Sequence, residues 1–111
     1  MGDAFLIEMG KRIQQRRKAQ RLSQEELAEK AEMSKQTVSR AENGQRELGA
    51  GNVAKLAQAL GVSSDYLLTG KYTDTDVQLL NQRAENLTSR QFGYLEDIVK
   101  TFVAMCDDGA V

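Results

Sequence analysis

Apolar residues recur at intervals of three and four along most of the chain, and short polar blocks between them carry the signals that start and stop helices. Phe5, Leu6, Met9 and Ile13 lay a stripe along a first helix over about 5–21. Ser23-Gln24-Glu25-Glu26 is a capping box: the Ser23 hydroxyl can accept from the third helical amide while Glu26 reaches back. It predicts a second helix to about Ala31, with Leu27, Ala28 and Ala31 as its buried stripe. Glu32-Met33 is a very short connector, Ser34 caps a third helix over 35–43, and Gly44 supplies a left-handed stop. The glycine-rich segment 45–52 reads as a loop. Val53, Leu56, Ala57 and Leu60 predict a fourth helix ended by Gly61, and Ser63 or Ser64 caps a short fifth before Thr69-Gly70.

The pattern changes after residue 70. Residues 71–76 are polar and read as a linker, and a sixth helix over about 76–85 carries Val77, Leu80 and Ala84. Thr88-Ser89-Arg90-Gln91 is another capping box. In the helix it opens, Phe92, Leu95, Val99, Phe102 and Cys106 follow a 3-4-3-4 spacing, flanked by Ile98, Val103 and Met105. Such a helix is too short to stand alone and must bury that face. It can dock on its own domain or pair with the same helix of a second chain. The seam favours the second, with Phe92, Leu95, Ile98, Val99 and Phe102 as dimerisation residues and Cys106 buried in it. The fold class is therefore all-α: a five-helix domain over 1–70, a linker at 71–76, and a helical tail over 77–111.

Composition narrows the chemistry. A chain of 111 residues fits one small domain with a short appendage, and the absence of Pro suits helices. With no histidine there is no Ser-His-Asp triad, no Cys-His pair and no His-ligated zinc. A single cysteine, Cys106, excludes an internal disulfide and any paired-cysteine metal site. The acids are scattered along helix faces, so no nucleophile–base pair can be assembled. Neither an enzyme nor a metal or cofactor site is expected. No run approaches the ~20 apolar residues of a membrane span. The N-terminus does not read as a signal peptide, and Leu6 stands where a myristoylation motif at Gly2 wants Ser or Thr. The expectation is a cytoplasmic protein.

Net charge is −1, yet its distribution is uneven. Residues 1–70 hold 11 Lys and Arg against 9 Asp and Glu, whereas 71–111 hold 4 against 7. Lys11, Arg12, Arg16, Arg17, Lys18 and Arg21 form a run with no acid among them. Taken alone it reads first as a solvated helix face, although positive charge gathered on one face also suits a polyanion.

The second and third helices form a helix-turn-helix in spacing and composition. Val38, Ala41 and Glu42 anchor the third, which turns Lys35, Gln36, Ser39, Arg40 and Asn43 outward. That face is all hydrogen-bonding and carries no acid; Gln can pair bidentately with adenine, and Arg or Lys with guanine. The segment LSQEELAEKAEMSKQTVSRAENG, continued by VAKLAQALGVSSDYLLTG, resembles the Xre family of phage-repressor-like DNA-binding domains over about 8–70. The resemblance lies in the Gln after the cap, the small residues of the second helix, Val38-Ser39, and the closing Glu42-Asn43-Gly44. It implies that Lys35, Gln36, Ser39 and Arg40 reach base edges in the major groove of double-stranded DNA. It further implies that Gln24 clamps a phosphate at a helix N-terminus, with Asn43 and Arg46 gripping the backbone on the other side. Arg17 and Glu42 match positions that pair internally, which makes Arg17 structural. Leu48 and Gly49 stand where many relatives have Pro and a Ser cap, so the start of the fourth helix is left open. Residues 71–111 are too short for a peptidase-type or ligand-binding effector domain.

One recognition helix covers only a few base pairs, so useful specificity calls for two half-sites about one helical turn apart. The reading is a sequence-specific transcriptional regulator, a repressor, acting as a homodimer on a pseudo-palindrome. The alternative is an antitoxin or interaction module whose tail binds a protein partner.

Overall fold

A computed structural model describes residues 3–109 as seven helices with no strand among the described residues. They are α1 (Asp3–Ala19), α2 (Gln24–Lys30), α3 (Lys35–Glu42), α4 (Ala50–Leu60), α5 (Ser64–Thr69), α6 (Asp74–Glu85) and α7 (Ser89–Asp107). Gly2 lies outside the described residues. No helix among them is long and apolar enough to cross a membrane. The chain divides into two compact units, one reaching Leu79 and one starting at Leu80.

In the first unit, α1 lies against α3, α4 and α5, and α2 against α3 and α4. Each of the first five helices sends at least one side chain to the centre. Ile13, Leu27, Val38, Leu56, Leu60 and Leu67 are all shut off from solvent. Burying an aliphatic side chain of this size contributes roughly 1.5–3 kcal/mol, so this cluster sets the stability of the unit. Leu6, Met33, Leu48 and Leu68 close its rim. Phe5, read from its spacing as part of the α1 stripe, is 50% exposed: the core extends along α1 only from Leu6 to Ile13.

α1 and α3 cross closely at Gly10, where a Cβ would sit 2.4 Å from the Ala41 carbonyl oxygen and 2.5 Å from that of Glu42. Only glycine allows that approach. α1 also supplies polar caps. Arg12 donates through Nε to the Leu67 carbonyl at 2.9 Å and through Nη2 to that of Leu68 at 3.2 Å. The Gln20 amide donates to the Leu60 carbonyl. These carbonyls lie near the C-terminal ends of α5 and α4. Part of the basic run is thus absorbed by the fold, since Arg12 caps α5 and Arg17 is ion-paired.

The boundaries that rest on local signals agree with the sequence. Ser23–Glu26 and Thr88–Gln91 are both complete capping boxes, Ser34 and Ser63 are N-caps, and Gly44, Gly61 and Gly70 take positive φ. Two boundaries differ. α4 begins at Ala50 with Gly49 as an N-cap that offers no side-chain hydrogen bond, so the predicted loop over 45–52 ends early. The expected linker over 71–76 is half helix, because α6 starts at Asp74 and Asp76 binds Ser63.

Among the described residues, no apolar side chain of the tail is buried. Neither α6 nor α7 contains a buried residue. Val77, Leu80, Phe92, Ile98, Val99, Phe102 and Cys106 are exposed in the single chain, and Leu95 is half-buried.

Candidate DNA-binding face

Ala31 is the C-cap of α2, its amide bonded back to Leu27, and Glu32 then takes φ 56. This left-handed residue lets the Met33 amide return to the Ala28 carbonyl at 2.9 Å, which closes α2 and redirects the chain. Ser34 caps α3: its hydroxyl accepts from the Thr37 amide at 3.0 Å and lies 2.8 Å from the Thr37 hydroxyl. Val38 and Ala41 seat α3 in the core, and Gly44, at φ 68 against Ile7, stops it.

The anchor is completed by charge. Arg17 Nε and Nη2 donate to the two carboxylate oxygens of Glu42 at 2.6 and 3.0 Å. Glu42 is buried, and Arg17 gives its remaining donor group, Nη1, to the Leu22 carbonyl at 2.9 Å. The pair ties α1 to the end of α3, as the resemblance implies. Gln24 adds a third bond to the carboxylate, donating from Nε2 to Glu42 Oε1 at 3.1 Å.

With the anchoring side settled, the outward side is defined. Lys35, Gln36, Arg40 and Asn43 are exposed and Ser39 is half-buried. The face presents two cations and three neutral hydrogen-bonding side chains and no acid. Arg46, in the loop after α3, leans back on that helix, its Nη1 3.5 Å from Thr37 Oγ1. That brings it toward the N-terminal half of α3. Gln24 stands half-buried at the first position of α2. Glu25 and Glu26 share that turn, and Glu26 accepts from the Ser23 amide at 2.8 Å, which holds its carboxyl below the usual range. The structure thus gathers Lys35, Gln36, Ser39, Arg40 and Asn43 on one helix, sets Arg46 beside it, and ties Gln24 to the buried carboxylate. Thr37, which holds both the Ser34 cap and Arg46, does not stand out among the sequence-predicted contacts; the Ser-x-x-Thr spacing after a capped start is the signal for it. No cluster of potential metal ligands occurs among the described residues.

Comparison with known proteins agrees with this geometry. The helix-turn-helix family profile matches residues 13–67. The regulator y4aM of Sinorhizobium fredii, an uncharacterized HTH-type transcriptional regulator, is 36% identical over 84 residues, 76% of this chain and 57% of its own. The chain therefore spans little more than half the length of that relative. The restriction-modification controller protein C.AhdI from Aeromonas hydrophila superposes with TM-score 0.56 at 38% identity, over 58% of this chain and 97% of its own. The P22 c2 repressor, solved in complex with a synthetic operator, gives 0.55 at 36% identity over 57% and 96%. The SinR protein, solved in complex with the SinI protein, gives 0.55 at 26% identity over 86% and 98%.

The chain belongs to the helix-turn-helix family of DNA-binding transcriptional regulators, with a phage-repressor-like fold. This is not an enzyme family.

Proposed function

We propose that the protein is a sequence-specific transcriptional repressor that binds a pseudo-palindromic operator as a homodimer. Its domains are a DNA-binding unit over 1–70 and a dimerisation tail over 77–111. α3 lies in the major groove, where Lys35, Gln36, Ser39 and Arg40 meet base edges; Gln24, Asn43 and Arg46 hold phosphates. The observation that carries this reading is the outward side of α3. Lys35, Gln36, Arg40 and Asn43 are exposed while the helix behind them is fixed by Val38, Ala41 and Glu42. Side chains on a rigid helix can be presented to base edges in a fixed register. The uncovered side of α7 supports the dimer: Ile98 is 66% exposed and Phe102 55% exposed in the single chain. A regulator of this kind works in the cytoplasm, where the DNA is.

The test is affinity selection of genomic DNA fragments by the purified protein, with a Lys35/Gln36/Arg40 triple-alanine variant alongside. A two-fold symmetric motif that the variant does not enrich is the expected result. Equal enrichment by the variant would overturn the assignment of the face. Sedimentation at micromolar concentration checks the dimer, and a monomer there would remove it.

A second reading has one observation in its favour. The match to the SinR protein takes in 86% of this chain, more than the five-helix unit, and that protein was solved with a protein partner. In this reading the tail holds a different protein, as an antitoxin or interaction module would. A stoichiometric partner co-purifying through the tail, and lost on Phe102→Glu, would favour it.

A further inference from the structure

The charges at the two ends of α7 run against the helix that carries them. An α-helix favours acids near its N-terminus and bases near its C-terminus, because its backbone dipole is positive at the first end and negative at the second. α7 has no acid in its first turn and no base in its last. It carries Arg90 at the start and Asp107 at the end, with Asp108 as its C-cap. Arg90 donates through Nε to the Tyr94 hydroxyl at 3.3 Å, and none of these three residues forms an ion pair with another described residue. In mid-helix, by contrast, Lys100 pairs with Glu96 at 3.5 Å.

The apolar stripe of the same helix runs from Phe92 to Cys106, with its midpoint at Val99. Phe92, Ile98, Val99, Phe102, Val103 and Met105 are all exposed in the single chain. Laid on the stripe of a second copy running the opposite way, Phe92 comes level with the partner's Cys106, and Val99 with the partner's Val99. The same register brings Arg90 level with the partner's Asp107 and Asp108. Each acidic C-terminus then lies beside a positive helix N-terminus, and two-fold symmetry makes the contact twice. A parallel pair does the reverse. It gathers four carboxylates, two from each chain, around two negative helix ends, and sets Arg90 against Arg90 at the positive ones.

We infer that α7 pairs with α7 of a second copy in the antiparallel sense. The apolar stripe supplies the contact and the end charges select the direction, since charges at the edge of an interface fix orientation more than they add affinity. The inference rests on the homodimer reading above and adds its direction.

The experiment uses the full chain at micromolar concentration, with its single cysteine as a ruler. Cys106 lies seven residues past the midpoint of the stripe, so in the antiparallel pair the two copies of it are about 21 Å apart along the axis. A disulfide needs Cα atoms about 4.4–6.8 Å apart. Oxidation of the wild-type dimer with copper phenanthroline is therefore expected to leave Cys106 unjoined to its own copy. Oxidation of Phe92→Cys should join the new thiol to the partner's Cys106, as peptide mass spectrometry would identify. A wild-type dimer linked from Cys106 to Cys106 would overturn the inference.

The second arm measures dimer affinity by sedimentation at low salt. Arg90→Glu gives α7 the acid that its own N-terminus favours, so a loss cannot be put down to a melted helix. Association should nonetheless weaken about fivefold, and adding Asp107→Lys and Asp108→Lys should restore it to within about twofold. In a parallel pair Arg90→Glu exchanges one like-charge contact for another, and unchanged affinity would again overturn the inference. This arm decides the matter if Phe92→Cys does not associate. A dimer that fails both arms would remove the direction alone, whereas a monomeric wild type would overturn the homodimer reading and this inference with it.

Discussion

Gln24 and Glu42 meet across the helix-turn-helix: the side-chain amide at the start of α2 donates to the carboxylate at the end of α3, at 3.1 Å. The same carboxylate is held by Arg17 from α1. Glu42 thereby sets the position of α3 and also that of Gln24, the side chain read as a phosphate ligand.

Because Glu42 is buried, removing its partner or its charge leaves one half of a desolvated pair. Arg17→Ala or Glu42→Ala should each lower stability by about 3–5 kcal/mol. Urea unfolding of the two single variants and the double variant checks this. The double variant should lose much less than the sum of the singles, since it leaves no orphaned charge. An additive result would mean that the pair is not coupled.

On the outward face, losses should sort by chemistry. Gln36→Ala or Arg40→Ala should relax discrimination at one base position by roughly 1–3 kcal/mol and leave other positions alone. Arg46→Ala should weaken binding to all sequences alike and lower the slope of log affinity against log salt by about one. Titrations of single-base operator variants at several salt concentrations separate the two. Uniform losses from all three would show that α3 does not read bases.

Two glycines make a contrast inside helices. Gly10→Ala pushes a methyl group into the backbone carbonyls of Ala41 and Glu42, and should destabilise by about 1–3 kcal/mol through overpacking. At Gly51, in the first turn of α4, nothing lies within 4 Å of an added Cβ. Gly51→Ala should stabilise by up to about 1 kcal/mol, because alanine gains helix propensity there. Thermal melts of both variants test the sign.

Burial pushes the Asp76 carboxyl up, but the amides of Thr73 and Ser63 and their hydroxyls outweigh it and hold the group below the usual carboxylate range. A carboxyl with its folded pKa depressed stabilises above its unfolded value, about 3.9, and that contribution is lost as pH falls through the folded value. Asp76→Ala should therefore melt lower than the wild type near neutral pH, with the gap closing below about pH 4. A gap that stays constant down to about pH 3 would contradict the hydrogen bonding at this site.

The elements legible in the sequence were those whose signals are local. Ser23, Ser34 and Thr88 bond three residues ahead, so their caps and the helices they open could be read directly. The outward side of α3 was legible for the same reason, since helical periodicity with Val38 and Ala41 facing inward leaves it little choice. The ion pair of Arg17 came only through the family resemblance. Contacts that reach across the chain left no trace. Arg12 finds its carbonyls 55 and 56 residues away, and its place in a basic run made it look solvated. Gly10 carries no sign of its role, because the backbone it admits belongs to α3. Asp76 lies at the end of a polar segment that reads as a linker, and its partner Ser63 lies 13 residues earlier. Glu32 and Arg21 adopt positive φ without the glycine or asparagine that would announce it.

The side chains facing outward from α3 take almost no part in holding it. Lys35, Gln36, Arg40 and Asn43 project from a helix whose hold on the unit comes from Val38, Ala41, Glu42 and the Ser34 cap. If this face reads DNA as proposed, preference for a DNA sequence and fitness of the scaffold are written in separate sets of residues. A duplicated copy of this gene could drift to a new operator through these positions without passing through an unstable ancestor, and an engineer could retarget it by the same route.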